Sequence, residues 1–323
     1  MKVLVTGGAG FIGSHLVEAL LSGGHQVVTI DDLSAGSERV FFGEASRDGH
    51  IFVQGKVEDR RLMEELMQSV DLVVHLAAVL GVKTCVENPL KVIEGNLDGT
   101  RNVLELALAN QVKVVFASTS EIYGKSEQLP YKEDSDRVLG STFKNRWCYA
   151  TAKALEEHLC VGYAGRGLAV TIARYFNAYG PRAASSPYGN VIPKFITAAL
   201  RGEPIPVYGD GTQSRCFTYI DDTIRGTLLS MEARHNGEVF NIGSNQSVTI
   251  MQLAQKIKIL TGSDSPIVRI PYREALGEHY EDTPNRIPDL TKSSRVLGFS
   301  PSVELEEGLL RTIAWYRARQ EDE

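Results

Sequence analysis

Tyr149 and Lys153 stand four residues apart in "RWCYATAK" (146–153). On a helix that spacing puts both side chains on one face, a turn apart. An ammonium beside a phenol favours the phenolate and lowers its pKa. A phenol so poised can take the proton of a sugar or alcohol hydroxyl as hydride leaves for a nicotinamide. The spacing also occurs in helices without chemistry, so its surroundings decide. One cluster lies upstream: "VVFASTSEIYG" (114–124) passes from apolar residues into Ser118, Thr119, Ser120 and the carboxylate of Glu121. Thr119 or Ser120 can share the substrate hydroxyl's proton with Tyr149. A third group is glycine. "VTGGAGFIGSH" spaces Gly7, Gly10 and Gly13 three apart. Glycine there permits a tight turn, close approach of backbone amides to a pyrophosphate, and helix–strand packing. The following helix N-terminus adds partial positive charge. Asp31 and Asp32 end the next apolar run, where a carboxylate can accept from ribose hydroxyls and repel a 2′-phosphate. The cofactor expected is NAD rather than NADP.

These residues need a frame, and the first half of the chain supplies one by alternation. Strands are expected at 2–7, 26–31, 51–55, 72–78, 114–119 and 168–175. Helical spacing falls at 12–24, 58–69, 96–110 and 149–164. Strands apolar on both faces, alternating with helices, imply an α/β fold: a Rossmann-type parallel sheet with helices on both faces. Past residue 176 proline and glycine become frequent, which predicts a smaller C-terminal domain facing the substrate. The expected division is 1–177 for cofactor, with 212–243 returning to it, and 178–211 with 244–323 for substrate. A last helix is expected at 302–319.

The totals exclude several classes. The chain has 323 residues, 43% hydrophobic and 23% charged, with formal net charge −6. An acidic chain of sequence pI about 5.7 lacks the basic surface that a nucleic-acid partner requires. No run approaches the roughly 18 apolar residues of a membrane helix, and no signal-peptide pattern opens the chain. Cys85, Cys148, Cys160 and Cys216 show no paired spacing, which fits reduced thiols and a cytoplasmic setting. The seven histidines show no metal-ligand spacing, so no metal is expected.

Long stretches of the chain resemble the extended short-chain dehydrogenase/reductases that act on nucleotide sugars. The match runs through "TGGAGFIGSHL" (6–16), "DDLSAG" (31–36), "HLAA" (75–78), "NLDGTRNVLE" (96–105), "STSEIYG", "YATAK", "RYFNAYGPR" (174–182), "VIPKFI" (191–196), "VYGDGTQSRCFTYIDD" (207–222), "FNIGS" (240–244) and "RIPDLTKSSRVLGFSP" (286–301). The resemblance implies a homodimer through paired helices 96–110 and 149–164. It adds Phe11, Ile12, Leu76, Ala77 and Ala78 to the cofactor residues, with Tyr149 and Lys153. For the nucleoside diphosphate sugar it implies Asn177 at the diphosphate, Val191 and Ile192 along the nucleotide, Tyr208 against the base and Arg215 on a phosphate, with Arg273 as a second phosphate candidate. Lys56 stands where the family usually carries an acidic adenine contact, and no role is assigned to it.

Family members begin by oxidising the sugar at C4. The 4,6-dehydratases usually carry Asp-Glu where this chain has Ser120-Glu121, so the acid that expels the 6-hydroxyl is missing. The Ser-Glu pair is most similar to that of UDP-glucuronate decarboxylases. Arg286, in "NRIPD", stands where such enzymes hold an arginine facing the sugar carboxylate, and "KNRWCY" resembles an arginine-tryptophan element of one of them. The expected activity is decarboxylation of a UDP-uronate, UDP-glucuronate or its N-acetyl analogue, through a 4-ketone with NAD regenerated. The alternative is a UDP-sugar 4-epimerase.

Overall fold

The first strand, "KVLVT", is β-branched and apolar on both faces, and nearly all of it is buried. Such a strand needs neighbours on each side and a layer on each face. The computed structural model describes residues 1–34, 48–183, 191–278 and 280–321. Residues 35–36 of "DDLSAG" and 184–190 of the proline- and glycine-rich stretch lie outside them. Among the described residues, seven parallel strands form the main sheet: β1 (Lys2–Thr6), β2 (Gln26–Asp31), β3 (His50–Gln54), β4 (Leu72–His75), β5 (Lys113–Thr119), β6 (Val170–Tyr175) and β7 (Val239–Ile242). Their order is β7-β6-β5-β4-β1-β2-β3. Strand progression reverses between β1 and β4, and the carboxyl ends flanking that reversal are where an open sheet of this kind receives a ligand.

Six helices matter for the site: α1 (Phe11–Ser22), α2 (Pro89–Asn110), α3 (Cys148–Ala164), α4 (Val191–Leu200), α5 (Ile220–Ser230) and α6 (Leu305–Glu321). α2 starts seven residues before the expected 96. Asn88 accepts from the Lys91 amide and Pro89 stands in the first turn, a start signal the apolar periodicity does not carry. Two apolar clusters line the faces of the sheet. One joins Val3, Val5 and Val74 to α1, α4 and α5, and the other joins Leu4, Val73 and Val114 to α2 and α3.

The second half returns to the sheet. β7 pairs with β6 from Val239↔Ile172 to Ile242↔Tyr175. A separate three-stranded sheet has Ser214–Cys216 at its centre, antiparallel to Ser247–Thr249 and parallel to Asn285–Arg286. Its register sets Arg215 beside Arg286, so residues 71 positions apart deliver two guanidinium groups to one place. No helix among the described residues is long and apolar enough to cross a membrane.

Candidate active site

The glycine turn follows β1. Gly7 has φ +71, and a Cβ there would lie 2.8 Å from the Ala77 nitrogen. A Cβ on Gly13 would lie 2.2 Å from the Gly7 carbonyl oxygen. Both positions therefore need glycine: the first for its left-handed backbone, the second for close approach of α1 to the turn. Gly10 is the N-cap of α1, and no side chain caps the helix. The first-turn amides at Phe11, Ile12 and Gly13 thus face outward as donors for an anion. Asp31, at the end of β2, accepts from the amides of Ala9 (3.0 Å) and Leu33 (2.8 Å) and so ties the glycine turn to the strand. Burial raises its pKa against those amides. Asp32 is exposed and accepts from the Ser34 amide at 2.9 Å. Its pKa is lowered: burial opposes ionisation, but Ser34 and the nearby charges of Lys56 and Lys91 prevail. Lys56, exposed, thus lies electrostatically beside Asp32. Leu76, Ala77 and Ala78 continue from β4, with the Ala77 amide donating to Thr6 Oγ1 at 3.2 Å. The open helix start, the glycine backbone and the Asp31 carboxylate suit the pyrophosphate and adenosine ribose of NAD.

α3 presents Tyr149 and Lys153 on one face, as their spacing predicts. Lys153 is 2% exposed, its ammonium 4.2 Å from the centre of the Phe116 ring and 3.2 Å from Glu156 Oε1. The expected lowering of the Tyr149 pKa is not what the chain's own groups produce. Its pKa is raised, first by burial and then by the negative charges of Glu156 and Glu121. Lys153 is partnered by a carboxylate, which offsets the charge it would lend the phenol. Thr119 ends β5, and its hydroxyl accepts from the Glu121 amide at 3.2 Å, shaping the turn. Ser120 is 2% exposed in that turn. Ser118 is committed elsewhere, donating to Glu157.

Glu121 lines a cavity of about 230 Å³ with Arg146, Asn177, Val191, Ile192, Lys194, Tyr208, Arg215, Tyr280, Asp282 and Arg286 among its walls. Arg286 Nη1 donates to Glu121 Oε1 at 2.8 Å, and Arg146 Nη2 lies 2.5 Å from Oε2. Each arginine is 4% exposed, and the Nε of each is buried without a hydrogen-bond partner. Burial would raise the Glu121 pKa, but the two guanidiniums hold it at about 2. Arg215 Nη2 donates to Asp282 Oδ1 at 2.7 Å, and Tyr272 donates to Oδ2 at 2.6 Å. Burial, then Arg286, lowers the Arg215 pKa. The buried walls so hold three guanidiniums against two carboxylates, with the Lys194 ammonium added. That suits an anionic ligand.

The predicted substrate residues converge on this cavity with one exception. Asn177 (φ +39) donates to the Cys216 carbonyl at 2.8 Å. Val191 and Ile192 open α4 on the cavity wall. Tyr208 lies under Lys194, whose ammonium is 4.5 Å from the ring centre and donates to its hydroxyl. Arg273 does not join them: it is exposed and ion-paired to Glu278 at 2.5 Å. Sequence reasoning gave no role to Lys194 or Asp282, and marked Arg146 only as part of the "KNRWCY" resemblance, with no partner named. Asp282 had no signal, since only the fold brings it to Arg215. No cluster of metal-binding side chains occurs among the described residues.

A parallel sheet with an open glycine turn at its reversal, a tyrosine–lysine pair and an arginine-lined cavity fit an NAD-dependent enzyme of anionic substrates. The chain belongs to the NAD dependent epimerase/dehydratase family, whose model matches residues 3–243. It is 48% identical to a UDP-N-acetyl-alpha-D-glucosaminuronate decarboxylase of Bacillus cytotoxicus over 321 residues, 99% of each chain. It is 36% identical to UDP-glucuronic acid decarboxylase 1 of Xenopus tropicalis over 99% of this chain and 73% of that one. Among solved structures, a Thermotoga maritima UDP-glucose 4-epimerase with UDP-glucose superposes with a TM-score of 0.90 at 35% identity, covering 99% of this chain and 100% of that one.

Proposed function

We propose that the protein decarboxylates a UDP-uronate, UDP-glucuronate or its 2-acetamido analogue, through a 4-keto intermediate. The observation that carries this reading is Glu121 held between the buried guanidiniums of Arg146 and Arg286 in the cavity. The phenolate of Tyr149 accepts the proton of the sugar C4 hydroxyl, with Thr119 or Ser120 sharing it. NAD, which the amides at Phe11, Ile12 and Gly13 and the Asp31 carboxylate would hold, would supply the acceptor for the C4 hydride and the hydride that restores C4. The resulting ketone is β to the C6 carboxylate. The C5–C6 bond then breaks, carbon dioxide leaves, and its electron pair passes into the enolate. C5 takes a proton, and Tyr149 returns its own as C4 is reduced.

Arg286 and Arg146 receive the substrate carboxylate, where it competes with Glu121 for the same donors. Two carboxylates sharing one site disfavour each other's charge, so the approach of Glu121 favours moving the substrate's charge out of the carboxylate and into the enolate as neutral carbon dioxide leaves. The cavity's remaining cations, Arg215 and Lys194, suit the diphosphate, and the Tyr208 ring suits the uracil face. A 4-epimerase acting on neutral hexoses would leave the paired arginines beside Glu121 without a task. The 48% identity to the glucosaminuronate decarboxylase favours the acetamido substrate of the two.

We place a cofactor domain at 1–177, with 212–243 returning to it, and a nucleotide-sugar domain at 178–211 and 244–323, with Glu121, Arg146, Asn177 and Arg215 of the first reaching the shared cavity, and the enzyme in the cytoplasm, where its free thiols stay reduced. A homodimer through α2 and α3 would cover Leu90, Leu155 and Val161, exposed in the single chain. The test is incubation with UDP-N-acetylglucosaminuronate, UDP-glucuronate and UDP-glucose with carbon dioxide measured. Release from a uronate supports the reading; none from either uronate refutes it.

A further inference from the structure

Lys153 has a partner that neither the motif nor the proposed reaction uses. Glu156 lies seven residues after Tyr149 and three after Lys153, so all three share one face of α3. It is fully buried. Its Oε1 lies 3.2 Å from Lys153 Nζ and accepts from the Thr100 hydroxyl at 2.5 Å. Behind Thr100 runs a polar chain through the core. Thr100 Oγ1 is 2.9 Å from His75 Nε2, His75 Nδ1 is 2.7 Å from Thr6 Oγ1, and Thr6 Oγ1 accepts from the Ala77 amide.

Donor and acceptor accounting fixes the direction of this chain. Thr100 gives its one proton to Glu156 Oε1, so its oxygen accepts from His75, and the Thr6 hydroxyl, which accepts from the Ala77 amide, donates to His75 Nδ1. That leaves the His75 proton on Nε2, donating to Thr100, whose own proton goes to Glu156. Burial and Lys153 hold the His75 pKa down at about 3, so the ring is neutral, as the chain needs. Every proton points toward Glu156, and Oε1 receives two donors. The other oxygen, Oε2, is buried with no partner. The two donors at Oε1, the Thr100 hydroxyl and the Lys153 ammonium, favour the carboxylate, against burial, which raises its pKa.

We propose that Glu156 is the positioning residue of the catalytic pair: it holds the Lys153 ammonium in place and, by offsetting its charge, sets the pH range over which Tyr149 can accept the substrate's proton. This rests on the reading that Tyr149 is the general base. Without Glu156 the buried ammonium of Lys153 would be unpaired, a costly arrangement. With it, Tyr149 faces two carboxylates, Glu156 and Glu121, opposed by Arg146, with the Cys85 thiol also near the phenol and the Lys153 charge taken up by Glu156. Through Thr100, His75 and Thr6 the same carboxylate is joined to the 76–78 loop on the cofactor side, so the lysine and that loop are held by one network.

The test is the pH profile of kcat in Glu156→Gln, which keeps the shape and removes the charge. The acid limb, where Tyr149 must lose its proton, should move to lower pH by about one unit. Thr100→Val, nearly isosteric, removes the hydroxyl that stabilises the carboxylate and should move the limb the same way by less. A purely structural Glu156 would lower kcat at every pH without moving the limb, and that result overturns the proposal. If Glu156→Gln fails to retain NAD, Thr100→Val decides alone, and an unmoved limb there overturns it. Tyr149→Phe separates the two claims. If it retains turnover, the assignment of the base fails; if it is inactive while both other profiles are unmoved, only the role of Glu156 fails.

Discussion

Tyr149 and Glu121 divide the proposed chemistry between them, and each is set by its neighbours rather than by its own type. Tyr149→Phe should lower turnover by about 100- to 10,000-fold, the usual worth of a positioned acid or base, with NAD retention unchanged. Steady-state kinetics checks it, and near-normal kcat would remove Tyr149 from the mechanism. Arg286→Ala removes a charge-assisted contact to a buried anion. It should weaken binding of a uronate nucleotide by about 10- to 150-fold and leave UDP-glucose nearly unaffected, as titration calorimetry with both ligands would show. Glu121 gives a pH signature. Its pKa falls from 4.5 unfolded to about 2 folded, so its ion pairs stabilise the fold above the unfolded value. That contribution is lost as pH falls from about 4.5 toward 2. The stability gap between the wild type and Glu121→Gln should therefore narrow across that window in urea melts; a constant gap would mean the clamp contributes no folding energy.

Elements place these residues, and some did so legibly. The glycine spacing and the i, i+4 pair predict local geometry, because both depend on residues adjacent in one turn or one helix. The clamp on Glu121 does not follow from local pattern. Arg286 reaches it from a two-residue strand, Asn285–Arg286, through a register with Ser214–Cys216 that no periodicity announces. Resemblance pointed to Arg286 and to the arginine-tryptophan element that holds Arg146, but that both grip one carboxylate, Glu121, is seen only in the fold. The raised pKa of Tyr149 was hidden for the same reason: Glu156 was one polar residue on a helix until packing buried it beside Lys153. Long-range ties of this kind also hold the C-terminal segment. Asp222, 1% exposed in α5, accepts from the Ser302 and Val303 amides and from the Ser302 hydroxyl at 2.8–3.0 Å. Asp222→Ala strands those donors and should cost about 3 kcal/mol, read as a lower urea midpoint with activity per folded molecule preserved. A midpoint unchanged within error would show that water replaces the carboxylate.

At the scale of the whole molecule, the main sheet supplies a cofactor site at its strand reversal, and both halves of the chain, Glu121 and Arg146 from the first and Arg215 and Arg286 from the second, build an arginine-lined cavity. The acidic chain, net −6, thus gathers its buried cations where an anionic nucleotide sugar would lie. On the proposed reading Asp31 lies at the adenosine ribose and opposes a 2′-phosphate, so NAD should support turnover and NADP should not. The sheet and glycine turn are common to epimerases and decarboxylases alike, as the 0.90 TM-score to a 4-epimerase makes plain. The outcome of the reaction must be read from the cavity, and from Glu121 between its two arginines. The most direct measurement is the mass of the nucleotide sugar formed from UDP-N-acetylglucosaminuronate and from UDP-glucuronate, with evolved carbon dioxide collected. A product lighter than its substrate by one carbon dioxide, with NAD unchanged in amount, is the result predicted. A product of unchanged mass from both, with no gas released, would contradict decarboxylation.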